Sequence, residues 1–223
     1  MKKKDIIKRV RFHGRGGQGM KTASRIVGTA AFMEGYYAQD FPVYGAERRG
    51  APIMAFTRLS DHPILERGII TQPDINIIAD ETLLHDNAAK VLQGVDSGTI
   101  TMVNTHYTPT HVKETYSVKG EVATVDITET VLKIINKPAL SSVAAACACK
   151  LTGMISRDSL KEAVTRELTD IHLKRESIDK NVEAALVCFD NTPDISAAGS
   201  KHSKGCNGNS IVRLKYADPC VGT

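Results

Sequence analysis

The chain has 223 residues, 42% of them hydrophobic, 24% charged and 5% aromatic, with no tryptophan. This ordinary globular balance suits one domain of good size with a core of Ile, Val, Leu and Ala. The net charge of +4 points to neither nucleic acid nor a membrane surface as partner.

Residues 1–25 hold nine Lys or Arg against one acid, Asp5. Met1-Lys2-Lys3-Lys4 resembles the charged start of a signal peptide, but no apolar region of the needed length follows, and no run is long enough to span a bilayer. A cytoplasmic protein is expected. Ile6 to Phe12 reads as a strand. The glycine-rich stretch Gly14-Arg15-Gly16-Gly17-Gln18-Gly19 follows it. Met20 to Glu34 then carries Ala23, Ile26, Val27, Ala30, Ala31 and Met33 at helical spacing, and Gly35 ends that helix. "YYAQDF" is a second strand, "PVYGAERRGAP" a loop, and "IMAFTRLS" a third strand before the turn "SDHP". Asp74 to Ala79 is a buried strand, "ETLLHDNAAKVLQG" a helix ended by Gly94, and "GTITMVNT" and "EVATVDI" two further strands.

The second half is helical. Thr128 is expected to cap "ETVLKIIN". "PALSSVAAACACKLTG" is a small-residue helix between Pro138 and Gly153, Ser156 caps "RDSLKEAVTRELT", and "ESIDKNVEAALVCFD" is the last helix. Strands alternating with helices predict an α/β fold, a three-layer α/β/α domain over residues 1–190 with a mostly parallel sheet. Residues 191–223, rich in Gly, Ser, Asn and Lys, have the composition of a linker and an extended C-terminal arm. The five cysteines, Cys147, Cys149, Cys188, Cys206 and Cys220, form no C-x-x-C and signal neither zinc nor an iron–sulfur cluster; Cys147 and Cys149 are expected to be small buried side chains.

Gly14, Gly16 and Gly19 satisfy G-x-G-x-x-G between a strand and a helix, where backbone N–H groups and the positive helix end suit a pyrophosphate. Asp40 stands 21 residues beyond Gly19, where a ribose-binding acid would fall. An NAD- or FAD-binding protein is therefore one reading, weakened by the bulk of Arg15 and Gln18 and by the extra Gly17. A P-loop fits poorly: Met20 separates Gly19 from Lys21-Thr22, which turns the lysine by about 100° around the helix and spoils the geometry. In the second loop Arg48 and Arg49, beside Glu47 and Gly50, suit phosphate, carboxylate or an acidic partner surface.

Taken together, Gly14 to Gly19, the stretch Tyr44-Gly45-Ala46-Glu47-Arg48-Arg49-Gly50, the strand end "RLSD" and "PDINIIAD" resemble the gamma subunit of 2-oxoacid:ferredoxin oxidoreductases over residues 6–188. The resemblance implies an enzyme complex of anaerobic metabolism that converts a 2-oxoacid, pyruvate in the first instance, and coenzyme A into acyl-CoA and CO2. It implies thiamine diphosphate with Mg and 4Fe-4S clusters on partner subunits, and ferredoxin as electron acceptor. No catalytic residue or metal ligand is expected in this chain. Gly14, Arg15, Gly16, Gly17, Gln18, Gly19, Glu47, Arg48, Arg49 and Gly50 are the candidate site, either holding coenzyme A or docking the thiamine-binding subunit. The arm, which extends past where such a domain ends, is expected to cross to a neighbouring subunit.

Overall fold

The structure, a computed structural model, describes residues 6–43 and 50–195. Its sheet has six strands in the order β2-β3-β1-β4-β5-β6. They are β1 (Ile7–Arg15), β2 (Tyr37–Val43), β3 (Pro52–Ser60), β4 (Ile75–Ile78), β5 (Ile100–Val103) and β6 (Glu121–Thr124). β3 pairs antiparallel with both β1 and β2, while β1, β4, β5 and β6 pair in parallel. β3 is thus the one reversed strand, and the mostly parallel α/β sheet is as expected. β1 runs three residues past the expected end, so Gly14 and Arg15 are strand residues opposite Ile53 and Pro52.

One face carries α1 (Met20–Met33), α3 (Ile127–Ile134), α4 (Ser141–Thr152), α5 (Arg157–Asp170) and α6 (Arg175–Asn191). Strand alternation puts Val10, Phe12, Ala55 and Leu59 on this side, where they join Ala23, Ile26, Val27 and Ala30 of α1 in the main core. Each fully buried Ile or Phe there contributes about 1.5–3 kcal/mol. α4 is buried almost all round. Its run of Ala and Cys, with Cys147 and Cys149 fully buried, lets α1 and α6 pack against it from two sides. Burial pushes the Cys149 thiol up, so it stays a protonated apolar side chain.

The other face is covered unequally. α2 (Pro109–Tyr116) and a 3-10 turn (Glu81–His85) lie over β4 to β6, where Ile78, Leu83, Val91, Val103, Val112 and Val122 make a second, smaller core. Over β1 and β3 the same face is polar. Arg11, His13 and Arg58 are buried there, with Asn76 of the neighbouring β4 beside Arg11. Arg58 bonds Glu66, Gln39 and the Gly68 carbonyl, and Arg9 pairs with Glu66 and Asp74, which pins the segment 61–74 onto the sheet.

Two expectations from the sequence need correction, and one helix was missed. The helix over "ETLLHDNAAKVLQG" is only the 3-10 turn; the Asp86 side chain accepts from the Ala88 amide, Lys90 and Gly94 have positive φ, and turns replace the helix. The cap of α3 is Asp126, whose side chain accepts from the Glu129 amide, whereas the Thr128 hydroxyl accepts from Asn104. α2 was not anticipated, although Thr108-Pro109 is a cap followed by an N1 proline and Val112 and Tyr116 lie one turn apart. Among the described residues, no helix is long and apolar enough to cross a membrane.

Candidate functional site

The glycine loop sits at the carboxyl end of β1, between β3 on one side and β4 on the other. That is where ligands bind in open α/β sheets. Two of its glycines are needed for close packing. A Cβ on Gly14 would stand 2.6 Å from Met20 Cγ, and one on Gly19, which has φ 80°, would stand 2.9 Å from Ser141 Cβ. These contacts seat the start of α1 on the start of α4. Gly17, with φ 98°, has nothing within 4 Å of a Cβ and faces open space. Among the described residues, no side chain caps α1 and no acid lies in its first turn, which leaves the positive end of the helix uncompensated by its own sequence.

The two bulky loop residues turn inward. The Arg15 Nε donates to Asp80 Oδ2 at 3.2 Å, Nη2 to the Thr82 hydroxyl at 2.6 Å, and Nη1 to the Gly50 carbonyl at 3.1 Å. The Gln18 Nε2 donates to the same Asp80 Oδ2 at 2.9 Å, while its Oε1 accepts from the Arg15 amide at 2.7 Å. Burial pushes the Asp80 carboxyl up, but hydrogen bonds from Thr82 and Gln18 and the charge of Arg15 outweigh it and hold the group below the usual carboxylate range.

Gly50, the last residue of the second signature, is joined to the first. The Gly16 amide donates to the Ala51 carbonyl at 2.8 Å and the Gly50 amide to the Gly16 carbonyl at 3.2 Å. The structure therefore brings Gly14, Arg15, Gly16, Gly17, Gln18, Gly19 and Gly50 together. Glu47, Arg48 and Arg49 lie outside the described residues.

A cavity of about 500 Å3 opens beside the loop at the carboxyl ends of the parallel strands. Gln18, Asp80, Glu81, Asn104, Asp126 and Glu129 are in its wall, with Leu132 and Leu140. Sequence reasoning missed Asn104. Its amide donates to the Ala79 carbonyl and the Thr128 hydroxyl, and its carbonyl accepts from the Ile127 amide, so it welds β4, β5 and α3. Among the described residues, four carboxylates and no Lys or Arg line this cavity. Phosphates do not fit inside it; they fit the rim formed by Gly17 and the α1 terminus. A larger cavity, about 610 Å3, lies at the opposite end of the strands between Arg9, Arg58, Glu66 and Asp74. Its charges largely satisfy one another, so volume is the poorer guide here.

Asp40 is not where a ribose would meet it. β3 separates β2 from β1, and the Asp40 carboxylate lies against Gly28 of α1, 3.5 Å from where a Cβ there would stand. Nothing in this arrangement supports a dinucleotide site. Among the described residues, no group of three or more His, Cys, Asp or Glu could hold a metal ion.

A glycine loop at the carboxyl end of β1, joined through Gly16 to Gly50 and Ala51, in a mostly parallel sheet defines an α/β domain of the open-sheet class. The chain belongs to the pyruvate ferredoxin/flavodoxin oxidoreductase family, whose profile matches residues 9–190. It is 39% identical over 184 residues to the pyruvate/ketoisovalerate oxidoreductases common subunit gamma of Thermococcus kodakarensis, covering 82% of this chain and 96% of that one. It is 40% identical over 158 residues to the pyruvate synthase subunit PorC of Methanosarcina barkeri, covering 71% and 85%. Of solved structures, pyruvate oxidoreductase subunit PORC from Thermotoga maritima superposes with a TM-score of 0.70 at 30% identity, over 82% of this chain and 96% of that one. The 2-oxoglutarate:ferredoxin oxidoreductase of Magnetococcus marinus shares the fold, with a TM-score of 0.59 at 20% identity, over 90% of this chain and 32% of that one.

Proposed function

We propose that this chain is the gamma subunit of a multisubunit 2-oxoacid:ferredoxin oxidoreductase, acting on pyruvate, and that its two joined loops hold coenzyme A. The hydrogen bonds that join Gly16 to Gly50 and Ala51 support the second part, because they tie the first signature to the last residue of the second. Gly17 and the uncapped start of α1 offer amides and a positive helix end to a phosphate, and Arg48 and Arg49, immediately before Gly50 in the sequence, would add cationic donors. Thiamine diphosphate and iron–sulfur clusters on partner subunits would supply the decarboxylation and the one-electron transfers to ferredoxin. This chain would orient the acyl acceptor, with the acidic cavity keeping phosphates at the rim.

The Arg48→Ala and Arg49→Ala variants separate ligand holding from docking. The expected result is a KM for coenzyme A raised about tenfold each, with the complex intact. Loss of the thiamine-binding subunit on gel filtration would instead assign the loop to docking. For residues 191–223 the proposal is an arm laid on a neighbouring subunit. Deleting Gly199 to Thr223 should weaken assembly, and unchanged stoichiometry and dissociation on dilution would contradict it.

A further inference from the structure

We infer that Asp80 is the positioning residue of the glycine loop, with Arg15 serving as internal scaffold and not as a phosphate ligand; this rests on the reading of the loop as the coenzyme A contact. Asp80 follows β4, and β4 is tied to β1 beside the loop: His13 pairs with Ile78, and the Ala79 amide donates to the His13 carbonyl at 2.8 Å. Its backbone is therefore fixed by the sheet. Its two carboxylate oxygens divide the work. Oδ1 accepts from the Thr82 amide and hydroxyl, which sets the carboxylate plane. Oδ2 accepts from both Arg15 Nε and Gln18 Nε2.

Because Gln18 Oε1 also accepts from the Arg15 amide, residues 15 to 18 close into a ring around one carboxylate oxygen of the residue that starts the turn after β4. The Arg15 guanidinium continues from Asp80 to Thr82 and to the Gly50 carbonyl, so one side chain bridges the turn after β4 and the last residue of the second signature. The side chains of the loop are spent on this ring. What is left facing out is Gly17, in open space. A glycine-rich segment has many conformations of similar energy, and the ring removes most of them before any ligand arrives. Asp80→Asn puts an N–H2 group against two donors, or turns it and loses Thr82, and in either case frees the loop.

The test uses the assembled complex, purified without oxygen, with coenzyme A as the probe. Calorimetry gives its Kd directly, and steady-state kinetics give KM for coenzyme A and for pyruvate. Asp80→Asn is expected to raise the Kd and KM for coenzyme A about tenfold. The kcat and the KM for pyruvate should stay within about twofold, and Arg15→Met should match Asp80→Asn, with the double variant no weaker than either within about twofold. Gly17→Asp, which sets a negative charge on the outward face, separates the two levels. If it weakens coenzyme A while Asp80→Asn and Arg15→Met do not, Asp80 is not the positioning residue. If none of the three changes coenzyme A binding, the loop is not its contact and the Asp80 role falls with it. Equal losses in kcat and in both KM values would mark general damage and also overturn the inference. Should the Asp80 variant fail to assemble, the Arg15→Met result alone decides, by the same criteria.

Discussion

Replacing Gly94 by alanine is expected to cost the chain about 3 kcal/mol or more. A Cβ at this position would stand 1.8 Å from the Thr71 carbonyl oxygen, 3.0 Å from its carbon and 3.6 Å from Gln72 Cα. These are backbone atoms and cannot swing aside as a side chain would. Gly94 also has φ 74°, which alone costs an alanine about 1 kcal/mol. The segments that meet here, 70–73 and 91–95, cover the amino-terminal end of β4 and carry the buried Ile70, Val91 and Val95. Moving them apart would open the smaller core. Gly98→Ala is the internal control: its nearest atom would be Asp96 Oδ1 at 3.4 Å, and the expected loss is under about 1 kcal/mol. Urea unfolding followed by circular dichroism compares the two, and equal midpoints would refute the packing account.

The second large effect is an acid limb from His13. The residue is 1% exposed, and its Nε2 has no hydrogen-bond partner among the described residues. Burial first, then the nearby charge of Arg11, pushes its pKa down from 6.5 to about 3. The folded chain thus keeps His13 neutral where the unfolded chain would protonate it. The unfolded state binds the extra proton between pH 6.5 and pH 3, so stability is full above 6.5 and is lost as pH falls through that window. The slope is at most about 1.4 kcal/mol per pH unit, or about 2 kcal/mol between pH 6.5 and 5. Asp80, Glu66 and Asp61 are held below the usual carboxylate range and withdraw their stabilisation at lower pH, as they protonate. His13→Leu should therefore flatten the decline from pH 7 to 5 specifically. Parallel declines in the two proteins would show that His13 is not its source.

Much of the fold was open to a reader of the sequence because its signals are local. Strand, glycine loop and helix at 6–34 follow from periodicity and from Gly35, and the small-residue α4 from its own composition. The order of strands was not local. β3 lies between β1 and β2, and no spacing in the sequence reports an insertion made by sheet pairing. Asp40 therefore looked like a ribose acid when in fact it packs on α1. Arg15 misled for the same reason. Its partners Asp80 and Thr82 lie 65 and 67 residues away, so a residue that looked free to meet a phosphate is bound within the fold. The segment 81–94 had enough apolar residues for a helix, but Asp86, Lys90 and Gly94 supplied turn geometry that outweighed them.

If this chain is one part of a larger catalyst, it should not purify alone. The direct measurement is to tag it in its host, purify it without oxygen and identify what accompanies it. The expected result is a brown complex with two or three other subunits, thiamine, and dye reduction that requires both pyruvate and coenzyme A. A colourless protein that elutes alone would contradict it.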